Sequence, residues 1–230
     1  MKTETRDNLV EAARRLFWEQ GYHPTGIAQI LKAADAGSGS LYYFFATKED
    51  LLLAVLEWYR AMLDNMVLQP VFERVSDPME RVFGILDGYR QQLEATEYQH
   101  GCPIGNLALE LSNSHPAARR LIAENFSGWR DAVKRCLDDA AGRLPAGTDT
   151  EQLALFVLTT MEGAVMLARA YRSIEPYNTA ATMLRDYFDC LLREGTEWST
   201  SQSGVPSAGP PTPDPARHSH KEAAHDDSSG

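Results

Sequence analysis

Apolar residues return at three- and four-residue steps along almost all of the first 194 positions of this chain, and nowhere do they alternate with the two-residue period of a strand. The first set is Leu9, Ala12, Ala13, Leu16 and Phe17, with Arg6, Glu11, Arg14, Arg15 and Glu19 between them, so one helical face is set for burial and the other for water. Gly21 ends that helix. Ile27, Ile30, Leu31 and Ala34 form a second, shorter stripe with Thr25 placed to cap it, and Asp35-Ala36-Gly37 interrupts it. A third segment begins near Ser38, turns Leu41 and Phe45 inward, and leaves Ser38, Ser40, Tyr42 and Tyr43 facing outward. Three helices this small cannot bury a sufficient core alone. The next helix must therefore pack on them and lead away; it opens at Thr47-Lys48-Glu49-Asp50, a capping-box-like start, and runs through Leu51, Leu52, Val55 and Leu56 to about Val67.

Further helix starts stand at Asp77-Pro78, Cys102-Pro103, Ser114-His115-Pro116 and Thr148-Asp149, since proline suits the first turn and Asp or Ser caps it. A long apolar helix is expected from Thr148 to Arg172 and another from about Asn178 to Arg193. After Gly195 the pattern gives way to Ser, Pro, Gly, Ala and His, which reads as a disordered tail; its His218, His220 and His225 are a solvated cluster or a site for a stray metal ion. The division that follows is 1–46, 47–194 and 195–230, and the fold class is all-α.

The three cysteines, Cys102, Cys136 and Cys190, are odd in number and widely spaced, which fits a reducing compartment and neither a disulfide framework nor a zinc knuckle. The N-terminus is polar, and no uninterrupted apolar run reaches the roughly 18 residues of a membrane span. A cytoplasmic protein with no membrane partner is expected. A net charge of −10 is unfavourable for a nucleic-acid binder, yet of 22 basic and 32 acidic residues only seven and eight lie in residues 1–60. The acid is concentrated elsewhere.

Within Thr25 to Lys48, two short helices joined by a tight turn and buried on a third leave the second projecting one small, hydroxyl-rich face, an arrangement that fits a major groove. Serines suit base edges or phosphates at close range, tyrosine hydroxyls donate to phosphate oxygens, and Lys48 adds a charge. The alternative for the tyrosines is core packing, and for Lys48 a solvated cap. The stretch from Leu9 to Leu52, with AARRLFWEQGY, TGIAQILKAA, GSLYYFF and TKEDLL, resembles the DNA-binding domain of the TetR/AcrR family of transcriptional regulators. That resemblance implies an N-terminal three-helix helix-turn-helix domain followed by a C-terminal helical-bundle domain for ligand binding and dimerisation. It implies DNA contacts at Thr25, Gly37, Ser38, Gly39, Ser40, Tyr42, Tyr43 and Lys48. Two positions depart from the family pattern: Asp35 stands where the turn usually has glycine, and Ser38 where a lysine often opens the recognition helix.

A second motif, His100 to Leu111 (HGCPIGNLALEL), resembles a segment of the subset of that family with YxaF/LmrA-like C-terminal domains. Cys102, just before Pro103, sits either as a small buried hydrophobe or as a helix-start thiolate that senses electrophiles. Helix bundles build pockets between helices, and Tyr89, Cys102, Asn106, Trp129, Met161 and Met166 are the candidate lining for an apolar or aromatic effector. The last two helices are the candidate homodimer surface, through Phe156, Gly163, Leu167, Leu184, Tyr187 and Leu191. His100 and Cys102 lack an orienting acid and an oxyanion loop, and no phosphate loop or metal-ligand spacing is present, so neither catalysis nor a cofactor or metal is expected. The reading is a repressor of a palindromic DNA operator, released by a small-molecule effector; a helical ligand-binding protein without a DNA role is the alternative.

Overall fold

The computed structural model describes residues 2–203, and side chains over 4–195. Ten α-helices follow one another there: α1 (Lys2–Gln20), α2 (Ile27–Ala33), α3 (Ser38–Phe44), α4 (Lys48–Leu63), α5 (Gln69–Arg74), α6 (Pro78–Ala95), α7 (Pro103–Leu111), α8 (Pro116–Asp139), α9 (Thr150–Tyr171) and α10 (Glu175–Ser203). No strand occurs among the described residues. Asp77 and Asp149 cap α6 and α9, each accepting two backbone N–H groups of the first turn. Thr47 and Asp50 complete a reciprocal capping box at α4. These satisfy donors that the helices themselves leave unpaired.

In the N-terminal unit, Leu9, Ala13, Phe17, Ile30, Leu41, Phe45, Leu51 and Leu52 bury against one another. Side chains of this kind contribute about 1.5–3 kcal/mol each when fully buried. The two turns rely on left-handed backbone. Gly21 has φ +93°, and Asp35 has φ +47°, taking the conformation that the family pattern leaves to glycine. Thr25 does not cap α2. The N-cap is Gly26, and the Thr25 side chain is 0% exposed, its hydroxyl donating to the Gly21 carbonyl at 2.6 Å.

The connector is longer than its apolar pattern predicts. After α4 the helix widens into a π-helical turn, Asp64–Leu68, in which the Gln69 N–H reaches back to the Asp64 carbonyl, and then continues as α5. Pro70 lacks the N–H that an α-turn would direct at the Met66 carbonyl, which accounts for the change of register. This rod packs on α1 near its start and on α8 further along. Helix α8 is central, touching α4, α6, α7 and α9, and α9 is covered in turn by α10.

Helix α9 is long and apolar enough to cross a membrane by length and composition, although no charge-free run of that length exists. Leu153, Val157, Leu158, Met161 and Val165 turn it into the bundle core. Helix α10 also departs from expectation, because Gly195 does not end it. A Cβ at Gly195 would strike the backbone of Arg143 and Leu144, so this glycine permits a close helix crossing and the helix runs on to Ser203. The histidines at 218, 220 and 225 lie outside the described residues.

Candidate DNA-binding face and effector cavity

Helix α3 is anchored by Leu41 from within and by Phe45 just beyond its end, both buried, which forces the intervening positions outward. Tyr42 and Tyr43 are 61% and 66% exposed. Gly37, Ser38 and Gly39 are exposed, Ser40 is half-buried, and a Cβ at Gly37 or Gly39 would meet nothing within 4 Å. The backbone at the start of α3 is thus open to close approach. Two of the expected contact residues are placed differently. Thr25 has no side-chain surface to offer, because its hydroxyl is spent holding the α1–α2 turn. Lys48 is half-buried, with Nζ donating to the Tyr22 carbonyl at 2.5 Å and lying 4.1 Å from the centre of the Tyr22 ring. Burial lowers its pKa, with Glu110 acting in the opposite sense.

That same turn is tied to the C-terminal domain. The carboxylate of Glu110, on α7, accepts the backbone N–H groups of Tyr22 at 2.9 Å and His23 at 2.6 Å. A Cβ at Gly21 would lie 3.1 Å from Glu110 Oε2, so glycine is needed here for approach as well as for its positive φ. The indole N–H of Trp18 donates to the Gly101 carbonyl at 2.8 Å, one residue before the Cys102 cap of α7. The guanidinium of Arg14 lies 4.7 Å from the Trp58 ring centre and 5.9 Å from that of Tyr59. Residues of the DNA-binding unit therefore grip both α4 and α7.

The opposite ends of those helices enclose a cavity of about 370 Å³. Its apolar wall includes Met62, Leu63, Met66, Ile85, Ile104 and Leu158, and its aromatic wall Tyr59, Tyr89, Phe126 and Trp129. The polar groups include Cys102, Asn125 and Glu162. The structure brings Tyr89, Cys102 and Trp129 together here, as the sequence predicts. It places the other three candidates elsewhere. Asn106 accepts a hydrogen bond from Arg169 at 2.8 Å and faces away; Met161 is packed in the core; Met166 lies exposed on the outside of α9. The adaptable methionines of the wall are Met62 and Met66 instead. Asn125 is buried and donates to the Leu56 and Leu121 carbonyls, joining α8 to the connector. Burial pushes the Tyr59 hydroxyl up to about 12 and that of Tyr89 well above its ordinary range.

Cys102 does cap α7, accepting the Gly105 N–H at 3.4 Å, but the expected thiolate does not follow. The thiol is buried, and both desolvation and the adjacent Glu162 carboxyl push its pKa well above the ordinary value. The helix-start effect is outweighed, and Cys102 is a poor nucleophile in this state.

Glu162 was missing from the expected lining, although a charged residue in the middle of the apolar run of α9 is a signal that points to it. Burial raises its pKa above 4.5, with the Cys102 thiol acting in the opposite sense. Because the folded protein then gives up this proton less readily than the unfolded chain, stability is lost as pH rises from 4.5 through the raised value. Glu162→Gln is expected to raise the thermal midpoint of the ligand-free protein near neutral pH, and the difference should vanish below the ordinary carboxyl range.

On the far side, α9 and α10 leave Leu155, Phe156, Met166, Leu167, Met183 and Tyr187 exposed. Phe156 and Tyr187 meet edge to face at 5.8 Å between ring centres, and Gly163 lies on the same open side, where a Cβ would meet nothing within 4 Å. Leu184, expected on this face, is 3% exposed and belongs to the core; Leu191 is half-buried against that core.

Residues 9–55 match the family model for bacterial regulatory proteins of the tetR family, and residues 78–184 match a tetracyclin repressor-like C-terminal domain. The chain is 30% identical over 174 residues to the HTH-type transcriptional regulator YxaF of Bacillus subtilis (strain 168), covering 75% of this chain and 89% of that one. It is 26% identical over 193 residues to the HTH-type transcriptional repressor DhaR of Mycobacterium sp. (strain GP1), covering 83% and 94%. The crystal structure of a TetR transcriptional regulator from Chloroflexus aurantiacus J-10-FL superposes with a TM-score of 0.71 at 29% identity, over 82% of this chain and 96% of that chain.

Proposed function

Since the chain belongs to the TetR family of bacterial regulatory proteins, we propose that it is a homodimeric repressor, released from a palindromic operator when a small apolar or aromatic molecule enters the cavity. The observation that carries this reading is α7. Its first turn, with Cys102, Pro103 and Ile104, is cavity wall, and its last turn holds Glu110, the acceptor for the α1–α2 turn. An effector that displaces the first turn shifts the second, and with it α1, on which α2 and α3 are packed. Tyr59, Met62 and Leu63 give α4 the same double attachment. Ligand and DNA then compete through geometry: a molecule that fits better when the two α3 helices are wrongly spaced weakens operator binding by its differential affinity.

Two-fold pairing through the exposed face of α9 and α10 presents two copies of α3, which must lie roughly 34 Å apart to enter successive major grooves. With Lys48 engaged within the protein and the domain close to neutral, contacts rest on the Ser38 and Ser40 hydroxyls, the tyrosine hydroxyls and the open backbone at Gly37 and Gly39. Nonspecific affinity should be low and steeply dependent on dimerisation. The test is selection of bound duplexes from random sequence, followed by anisotropy titrations of the selected duplex with and without aromatic compounds. A half-site without a symmetric partner, or release by none of them, counts against the proposal. Tyr42→Phe is expected to weaken binding about tenfold, in line with loss of a hydrogen bond to a charged phosphate, and to do so equally across sequences.

A further inference from the structure

We propose that the effector is a lipophilic amine, seated with its ammonium against Glu162 and with an oxygen acceptor on its ring system facing the indole N–H of Trp129. This rests on the reading of the cavity as the effector site.

Glu162 is the feature that selects the ligand. It stands in the cavity wall among largely apolar groups, and among the described residues desolvation and the Cys102 thiol are what act on it; no arginine or lysine does. The other charges of the wall are already committed. Asp87 is paired with Arg90 at 2.7 Å, and the exposed Arg74 donates to the Pro70 carbonyl. A carboxyl in low dielectric needs either a proton or a cation, and an ammonium supplies the cation. The protein has made room for the acid rather than excluding it: a Cβ at Gly105 would collide with the Glu162 carboxylate. The carboxylate thus lies over the first turn of α7, where the helix end favours negative charge.

The surroundings suit a cation with an aromatic body. Tyr59, Tyr89 and Trp129 line the same space, and the Tyr89 and Trp129 rings meet edge to face at 6.0 Å between centres. Such rings attract an ammonium through their faces. Trp129 adds a second requirement. It is only 4% exposed, and its Nε1–H is buried with no partner in hydrogen-bonding geometry, an arrangement uncommon enough in folded proteins to point to an absent one. The Tyr89 hydroxyl is near enough to feel this N–H but does not complete a bond with it. An ammonium cannot accept that bond, so the ligand must also carry an ether, carbonyl or hydroxyl oxygen. An anion would face Glu162 unscreened, and a neutral hydrocarbon would leave both groups unserved.

Calorimetry on the DNA-free protein with three naphthalenes of matched shape tests this. 2-Naphthylmethylamine, protonated near neutral pH, should bind at least about tenfold more tightly than 2-naphthylmethanol, and 2-naphthoate more weakly than either. Glu162→Gln, a near-isosteric change that removes a buried charge, should bring the amine down to the alcohol. Adding a 6-methoxy group to the amine should tighten binding to the parent protein and leave Trp129→Phe unaffected. Equal affinity for amine and alcohol, a preference that survives Glu162→Gln, or no binding of the amine overturns the inference. Operator release is read separately: an amine that binds as described without weakening DNA binding overturns the effector reading and leaves the cavity chemistry standing, whereas release by neutral compounds with no amine preference does the reverse.

Discussion

The double variant Phe156→Glu/Leu167→Glu should be monomeric by light scattering and should bind the full operator no better than a half-site. Both side chains are exposed on α9, on the face where α10 adds Met183 and Tyr187. Two acids placed there meet their own symmetry mates across a two-fold axis, so four like charges would be desolvated together. A dimer gains from holding its second α3 near the second half-site, and an effective concentration of that kind is worth about 10² to 10⁴ in affinity. Operator affinity should fall by about that factor, while the salt dependence of the residual binding drops because fewer phosphates are contacted. Leu184→Ala provides the contrast. Buried in the core, it should cost about 2–5 kcal/mol of stability through the cavity it leaves, with the monomer–dimer balance little changed in the folded protein. A charged double variant that remains dimeric would place the interface on another face.

Glu110→Ala should fold and bind operator, yet respond to effector much less than the parent. Its carboxylate is the acceptor for the Tyr22 and His23 N–H groups, and the turn they belong to contains no other link to α7 of that strength. Coupling energies between sites in allosteric proteins are commonly about 1–3 kcal/mol, a change of roughly 5- to 150-fold in affinity. Removing the α7 link should leave the share carried by α4, where Arg14 still lies over Trp58 and Tyr59. The ratio of operator affinities with and without effector should therefore fall by about tenfold, or to near unity if the parent ratio is small. Ligand affinity in the absence of DNA should hardly move, since Glu110 does not line the cavity. Glu110→Gln, which keeps one carbonyl oxygen, should fall between the two. An unchanged ratio in Glu110→Ala would assign the coupling to α4 alone.

Residues near in sequence and residues brought together by folding were not equally legible. The helix starts at Asp77, Cys102, Pro116 and Asp149 could be read because a cap acts within three residues of itself. The outward direction of Tyr42 and Tyr43 followed from two inward anchors on a short helix. Thr25 misled because a hydroxyl before a helix has two local uses, and here the carbonyl of Gly21 claimed it. Leu184 and Met166 were exchanged between core and surface because α9 and α10 are apolar on more than one side, and period alone does not say which side meets a neighbour. The Cys102 thiol ran opposite to expectation because it is buried beside Glu162, 60 positions away in the chain.

What the order of residues determined by itself is the helical architecture, the recognition segment and the family, since each depends on spacings of three to seven residues and on local capping. What only the tertiary structure decided is which groups share the cavity, how Glu110 reaches the α1–α2 turn, and the protonation preference of Cys102 and Glu162. Those depend on distance and desolvation between segments far apart in the chain, and helical period carries no record of either.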